Sequence, residues 1–219
     1  MVVFSISEEI KDKCPKIRLG ILSADIFVEN ESKDLWSKIL SEARLFSEKH
    51  IEFPKFSTIQ SARAAYKALG KDPSRYRPSA ESLLRRILSG KELYSVNNVV
   101  NLINLISFRS GFSIGGYDAD SIKGDIALTK GLSSDIYDGL GRGLLNIENL
   151  PVLRDELGAF GCPTSDSERT GIRLDSKHCI WVFFDFDADQ SLEQYLHESA
   201  ELLKQFAEAK NISAKIVRA

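Results

Sequence analysis

Residues 77–128 constrain the chain most: RPSAESLLRRILSGKELYSVNNVVNLINLISFRSGFSIGGYDADSIKGDIAL. Leu83, Leu84, Ile87 and Leu88 recur at helical spacing between a Ser79 start and a Gly90 stop. Residues 96–110 continue with Val99, Val100, Leu102, Ile103, Ile106 and Phe108, apolar almost all round, which is the pattern of a buried helix. Its asparagines are the exception. Asn97, Asn101 and Asn104 fall on one face at spacings of four and three. They either cap the helix and satisfy backbone at a packed interface, or line a polar pocket. GFSIGGYD, residues 111–118, then reads as a glycine turn that lets backbone amides approach a ligand, and residues 123–128 as a strand.

The flanks add elements of both kinds. Residues 17–28 alternate apolar and polar and predict a strand. Residues 32–49 predict a helix that Ser32 can cap. A second helix follows, with a Ser57/Gln60 capping box and Gly70 as its left-handed stop. Residues 71–78 are turn-forming and basic, and residues 136–147 predict a hairpin around glycines. That hairpin has G-x-G-x-G spacing but no helix to open, so it is not a dinucleotide fingerprint. Residues 157–170 form a loop dense in Gly, Pro, Ser and Thr. CIWVFF, residues 179–184, is a continuous apolar run bounded by charge and predicts a buried strand. Residues 191–210 are an amphipathic helix, and residues 214–217 a closing strand. Helices and strands mix without strict alternation, so the expected class is α+β, with layered mixed sheets and packed helices. The expected organisation is one domain over residues 1–219, with residues 1–53 as a strand–helix extension packed on it.

Net charge is -2, which gives no global field to recruit nucleic acid. The charges are unevenly spread. Lys55, Arg63, Lys67, Lys71, Arg75, Arg77, Arg85, Arg86 and Lys91 face only Asp72 and Glu81 over their stretch. Such a segment either contacts phosphates or is a solvated helical face. Cys14, Cys162 and Cys179 are an odd set without C-x-x-C spacing, which fits a reducing cytoplasm. His50, His178 and His197 form no metal motif, and neither a metal nor a cofactor is expected. No secretory start and no apolar run long enough to span a membrane is present, so no membrane partner is expected.

Three blocks, SAESLLRRILSG, VNNVVNLINLISFRSG and IGGYDADSIKG, resemble the editing domain, B3/B4, of the bacterial phenylalanyl-tRNA synthetase β subunit and its free-standing relatives. The likeness runs from about Pro54 to the C-terminal helix. The aspartate and asparagine of the family's VVDxTN block correspond to Asn101 and Asn104, its glycine to Gly111, and the aspartate closing its turn to Asp118. Two positions depart. Gly115 stands where the synthetase has a histidine, and Tyr94 where it has an arginine before the middle helix. The later loop aligns loosely with one that borders the family pocket.

The resemblance implies an α+β editing fold and a function in trans. A free-standing domain would bind the aminoacylated 3′ end of tRNA and hydrolyse a wrong amino acid from it. The implied pocket comprises Asn101, Asn104, Gly111, Gly115, Gly116, Asp118, Gly161, Thr164, Ser167 and Thr170. The implied RNA contacts are Arg75, Arg77, Arg85 and Arg86. No catalytic residue is assigned. Ester hydrolysis needs a positioned water and an oxyanion stabiliser, so a Ser-His-Asp set is not required. Cys162 is either a nucleophile or, with no histidine partner identifiable, a small loop residue, and Glu148, Asp155, Asp166 and Glu168 are candidate bases or ammonium binders. With Gly115 in place of histidine the pocket is expected to be larger, and the rate to rise with hydroxide without an inflection near ~6.5. A bulky residue at Gly115 is expected to fill the pocket without disturbing the fold. A non-catalytic RNA-binding module and a binder of free amino acids are the alternatives. Residues 111–118 and 158–170 are expected to face one cavity.

Overall fold

The computed structural model describes residues 2–48 and 56–219, which leaves Lys49, His50 and Lys55 outside the described residues. The chain builds two sheets and a layer of helices. The first sheet takes β1 (Phe4–Ile6), β4 (Ile126–Lys130), β7 (Pro151–Asp155), β8 (Gly158–Cys162) and β9 (Ser165–Asp166), in that order. The second is ordered β11 (Lys210–Arg218), β2 (Arg18–Asp25), β10 (His178–Asp185) and β3 (Ser113–Asp118). β1 and β4 pair in parallel and the other ladders are antiparallel, with β5 (Ile136–Gly139) and β6 (Gly143–Asn146) as a separate hairpin. The class is α+β with layered mixed sheets.

The second sheet is the middle layer. Along β10, Cys179, Trp181 and Phe183 join the core beneath the helices, while Ile180, Val182 and Phe184 join the core shared with the first sheet. A strand covered on both faces has no polar side, which is why CIWVFF is a continuous apolar run. The helical cover includes α2 (Lys33–Glu48), α4 (Ser79–Leu88), α5 (Asn98–Ser110) and α6 (Leu192–Ala207). α3 (Ser57–Leu69) lends Ala62, Ala65 and Leu69 to the inter-sheet core, as the short α1 (Glu8–Lys13) lends Ile10.

Several expectations change here. β2 belongs to the segment expected as an extension, yet it is an interior strand paired with β10 over Arg18–Asp25 and with β11 on its other side. Residues 113–118 are a strand and not a free turn, because β3 pairs with β10 from Ser113 to Asp118. Residues 157–170 likewise carry β8 and β9. β1, α1 and β7 had no clear periodicity in the sequence. The Ser57 hydroxyl donates to Asp189 Oδ2 at 2.9 Å and does not cap α3, whose first flanking residue is Phe56. Gly70 does end α3 in the left-handed region.

Candidate functional site

The richest polar chemistry lies where β3 meets β8 and β9. Side chains alternate along a strand, so Gly115 and Tyr117 share the face toward the first sheet. The Tyr117 ring lies back over Gly115. A Cβ added at Gly115 would fall 2.0 Å from the Tyr117 hydroxyl, and one at Gly161 on β8 would fall 2.2 Å from it. Both glycines therefore exist to admit this buried ring, which also meets Phe160 edge-on at 5.0 Å. On the opposite face of β3, a Cβ at Gly116 would reach Ile103 of α5 at 2.2 Å.

The Tyr117 hydroxyl donates to Asp166 Oδ1 at 2.6 Å, and the Gly116 N–H donates to Asp166 Oδ2 at 3.2 Å. Asp166 is half-buried, but its carboxyl group is enclosed by these neighbours. Burial pushes its pKa up to about 7, although both hydrogen bonds work to lower it. Burial and the adjacent Asp166 push Tyr117 well above the usual phenol range, so it stays a donor. Near neutrality Asp166 can therefore take or give a proton.

The hydroxyls around this pair are already engaged. Thr164 Oγ1 and the Tyr66 hydroxyl are 2.9 Å apart in the core. Ser167 Oγ accepts from the Arg169 N–H at 3.1 Å, and Thr170 Oγ1 donates to the Phe160 carbonyl at 3.5 Å. Cys162 ends β8 and is not a loop residue; its thiol donates to the Ser165 carbonyl at 3.2 Å and accepts from Tyr137 at 3.1 Å. Burial raises the Cys162 pKa, away from the thiolate that a nucleophile needs. Asp155 is held in a fork by Arg169 at 2.9 and 3.0 Å. Burial works to raise Asp155, but Arg169 and the Lys123 N–H outweigh it and hold the carboxyl below its usual range. Glu148 is half-buried, its backbone N–H donating to Asn146 Oδ1 at 3.1 Å, and Glu168 is exposed.

The expected pocket residues thus divide. Gly115, Gly116, Gly161, Ser167 and Thr170 gather around Tyr117 and Phe160. The larger cavity expected from Gly115 is not there, because Tyr117 occupies the space. Gly111 sits at the far end of β3, ending α5 with φ +73, where a Cβ would meet Thr58 Oγ1 at 2.4 Å. Asp118 accepts from the Asp120 N–H and the Ser121 hydroxyl in a local turn. The asparagines lie across the sheet, on α5. Asn97 caps α5 through the Val100 N–H at 2.8 Å, and Asn98 bonds the backbone of Phe27, Glu29 and Phe206. Asn101 accepts from the Val96 N–H at 3.0 Å and donates to Ser95 Oγ at 2.9 Å, while Asn104 is half-buried. Capping and backbone satisfaction, not a ribbon of amides, accounts for Asn97, Asn98 and Asn101. Sequence reading missed Tyr117, because its place over Gly115 follows only once pairing with β10 makes residues 113–118 a strand.

A basic surface lies on α4, which is tied to the β8–β9 turn by the Ser79 N–H donating to the Pro163 carbonyl at 2.7 Å. Arg77, Arg85, Arg86 and Lys91 line a shallow depression of about 560 Å³ with Ser82, Leu88 and Ser89. Arg75 is exposed beside Tyr76, at 5.7 Å from the ring centroid. Arg85 has a second duty. Glu81 is fully buried and accepts from Arg63 at 2.7 Å and Arg85 at 2.8 Å, so Arg85 helps neutralise an interior charge. Among the described residues no helix is long and apolar enough to cross a membrane.

A search of the solved structures returns an N-terminal fragment of the phenylalanyl-tRNA synthetase β-subunit from Pyrococcus horikoshii, at 14% identity and a TM-score of 0.46. That match covers 98% of this chain and 50% of the fragment, so the chain spans about half the fragment's length. Among curated proteins no similar sequence is found. The B3/4 domain family matches residues 61–202, which include α4, α5, β3 and the Tyr117–Asp166 pair, in agreement with the resemblance drawn from the sequence. With well over half of its length matched, this chain belongs to the B3/4 domain family.

Proposed function

We propose that this B3/4 domain binds tRNA and hydrolyses mischarged aminoacyl-tRNA in trans. The observation that supports this most is Asp166, whose enclosed carboxyl group is pushed up to about 7 one strand from the turn to which the start of α4 is bonded. A general base works best with a pKa near the operating pH. The reaction requires the junction to open at Tyr117; Asp166 then takes a proton from water as the water oxygen attacks the ester carbonyl carbon. The tetrahedral intermediate collapses, the bond to the ribose oxygen breaks, and that oxygen takes the proton back from Asp166. Tyr117 positions the carboxyl group by its hydrogen bond. This revises the expectation of a hydroxide-driven rate: the profile now bends near 7, with Asp166 ionised on its active side.

A specific observation favours a second reading, a non-catalytic RNA-binding module. Tyr117 fills the space between Gly115 and Gly161, and Thr164, Ser167 and Thr170 already have internal partners. A deacylation screen over a panel of misacylated tRNAs separates the two. The editing reading expects hydrolysis of at least one substrate, a rate rising through about pH 7, and a loss of ~10²-fold or more in Asp166→Asn with tRNA affinity kept. Tight tRNA binding with no hydrolysis across the panel would leave the binding module as the function.

A further inference from the structure

We infer that the exposed face of α4 and the loop after it bind single-stranded RNA, with Tyr94 as a base-stacking platform and Arg77, Arg86 and Lys91 as phosphate contacts. This rests on the RNA-binding part of the reading above and adds the form of RNA and the residues that take it. Tyr94 is 71% exposed, although a tyrosine ring gains free energy by burial. The Arg86 guanidinium lies 4.1 Å from the centroid of that ring, and Arg86 Nε donates to the Glu92 carbonyl, so the pair is held as a unit. The same Arg86 lines the depression with Arg77, Arg85 and Lys91, and no carboxylate is among its lining residues. A cationic groove that ends on an exposed aromatic is what a single strand needs. Phosphates take the cations, and an unstacked base takes the ring face.

The platform is also preorganised. Asn101 holds the Val96 N–H at 3.0 Å and Ser95 Oγ at 2.9 Å, and the Lys91 N–H donates to the Arg86 carbonyl at 3.1 Å. The loop that carries Tyr94 is therefore pinned at both ends before any ligand arrives, which lowers the ordering cost of binding. Duplex RNA offers no free base face and is read by shape and backbone. A site built only for duplex would have no use for Tyr94.

The test is fluorescence anisotropy with the full chain and a labelled eight-nucleotide single-stranded RNA ending in CCA, with melting curves on every variant. Tyr94→Ala is expected to weaken binding about 10-fold at unchanged melting temperature, while Tyr94→Trp keeps or tightens it. Arg86→Gln is expected to weaken binding and to reduce the slope of log affinity against log salt by about 0.7. Unlabelled single strand should compete better than a hairpin duplex of equal charge. Equal affinity for Tyr94→Ala and wild type, better competition by the duplex, or no binding of the single strand would each overturn the inference. The assay contains no ester, so failure of the deacylase reading leaves it unaffected. Equally, a chain that deacylates tRNA yet ignores the oligonucleotide would sink this inference alone.

Discussion

The junction of β3 with β9 and the outer face of α4 are adjacent in space and opposite in character. At the junction, Tyr117, Phe160, Gly115 and Gly161 interlock so closely that a single added carbon has nowhere to go. Just before α4 Arg77 is exposed, on α4 Arg86 is half-exposed, and both face a depression open to solvent. The first region is determined by packing, where one atom decides the outcome, and the second by charge, where side chains are interchangeable within limits. The glycines that looked like a ligand's entrance are a seat for a tyrosine. Three of the arginines that looked like an ordinary solvated face, Arg77, Arg85 and Arg86, share one depression.

The contrast can be broken most sharply at Gly115. Gly115→Ala should destabilise the fold by roughly 1–3 kcal/mol, because the new Cβ overlaps the Tyr117 ring within an enclosed core. Gly115→Trp should fail to fold, contrary to the expectation of a silent surface change; urea denaturation and circular dichroism would show it. A Gly115→Trp protein with native melting would mean that Tyr117 swings out freely and that the junction is a pocket after all.

A smaller effect concerns protons. Asp166 binds its proton more tightly folded than unfolded, since its folded pKa is raised to about 7. The stability tied to that proton is complete below the ordinary carboxylate range and is lost as pH rises to about 7. Wild type should thus lose on the order of 4 kcal/mol, relative to Asp166→Asn, between pH 4 and pH 8. Parallel urea curves for the two proteins over that range would remove the argument for a poised carboxyl group.

The smallest effect on stability belongs to the surface. Arg75→Gln with Arg77→Gln should change stability by less than about 0.5 kcal/mol while weakening tRNA binding and flattening its salt dependence. Arg85→Gln, one helical turn from Glu81, should by contrast lower the melting temperature, because it strips one of two cations from a buried carboxylate. If all three substitutions prove equally silent, the division of labour among these arginines is wrong.

Much of this was legible in the chain because it depends on near neighbours. The helical spacing of Leu83, Leu84, Ile87 and Leu88 predicts α4, the all-round apolar run predicts the buried α5, and CIWVFF predicts a buried strand; each stands in the structure. These patterns report which faces are covered, and coverage is written in the period of the sequence. The three motif blocks likewise carried the family, which residues 61–202 match. What remained hidden depends on partners distant along the chain. Nothing local distinguishes GFSIGGYD as a turn from GFSIGGYD as an edge strand; pairing with β10, more than sixty residues later, decides it. Nothing local says that Asp166 will be enclosed by Tyr117, or that β2 will lie between β10 and β11. A carboxyl group's acidity and a glycine's purpose are set by what tertiary packing brings against them, and those contacts have no period for a sequence to display.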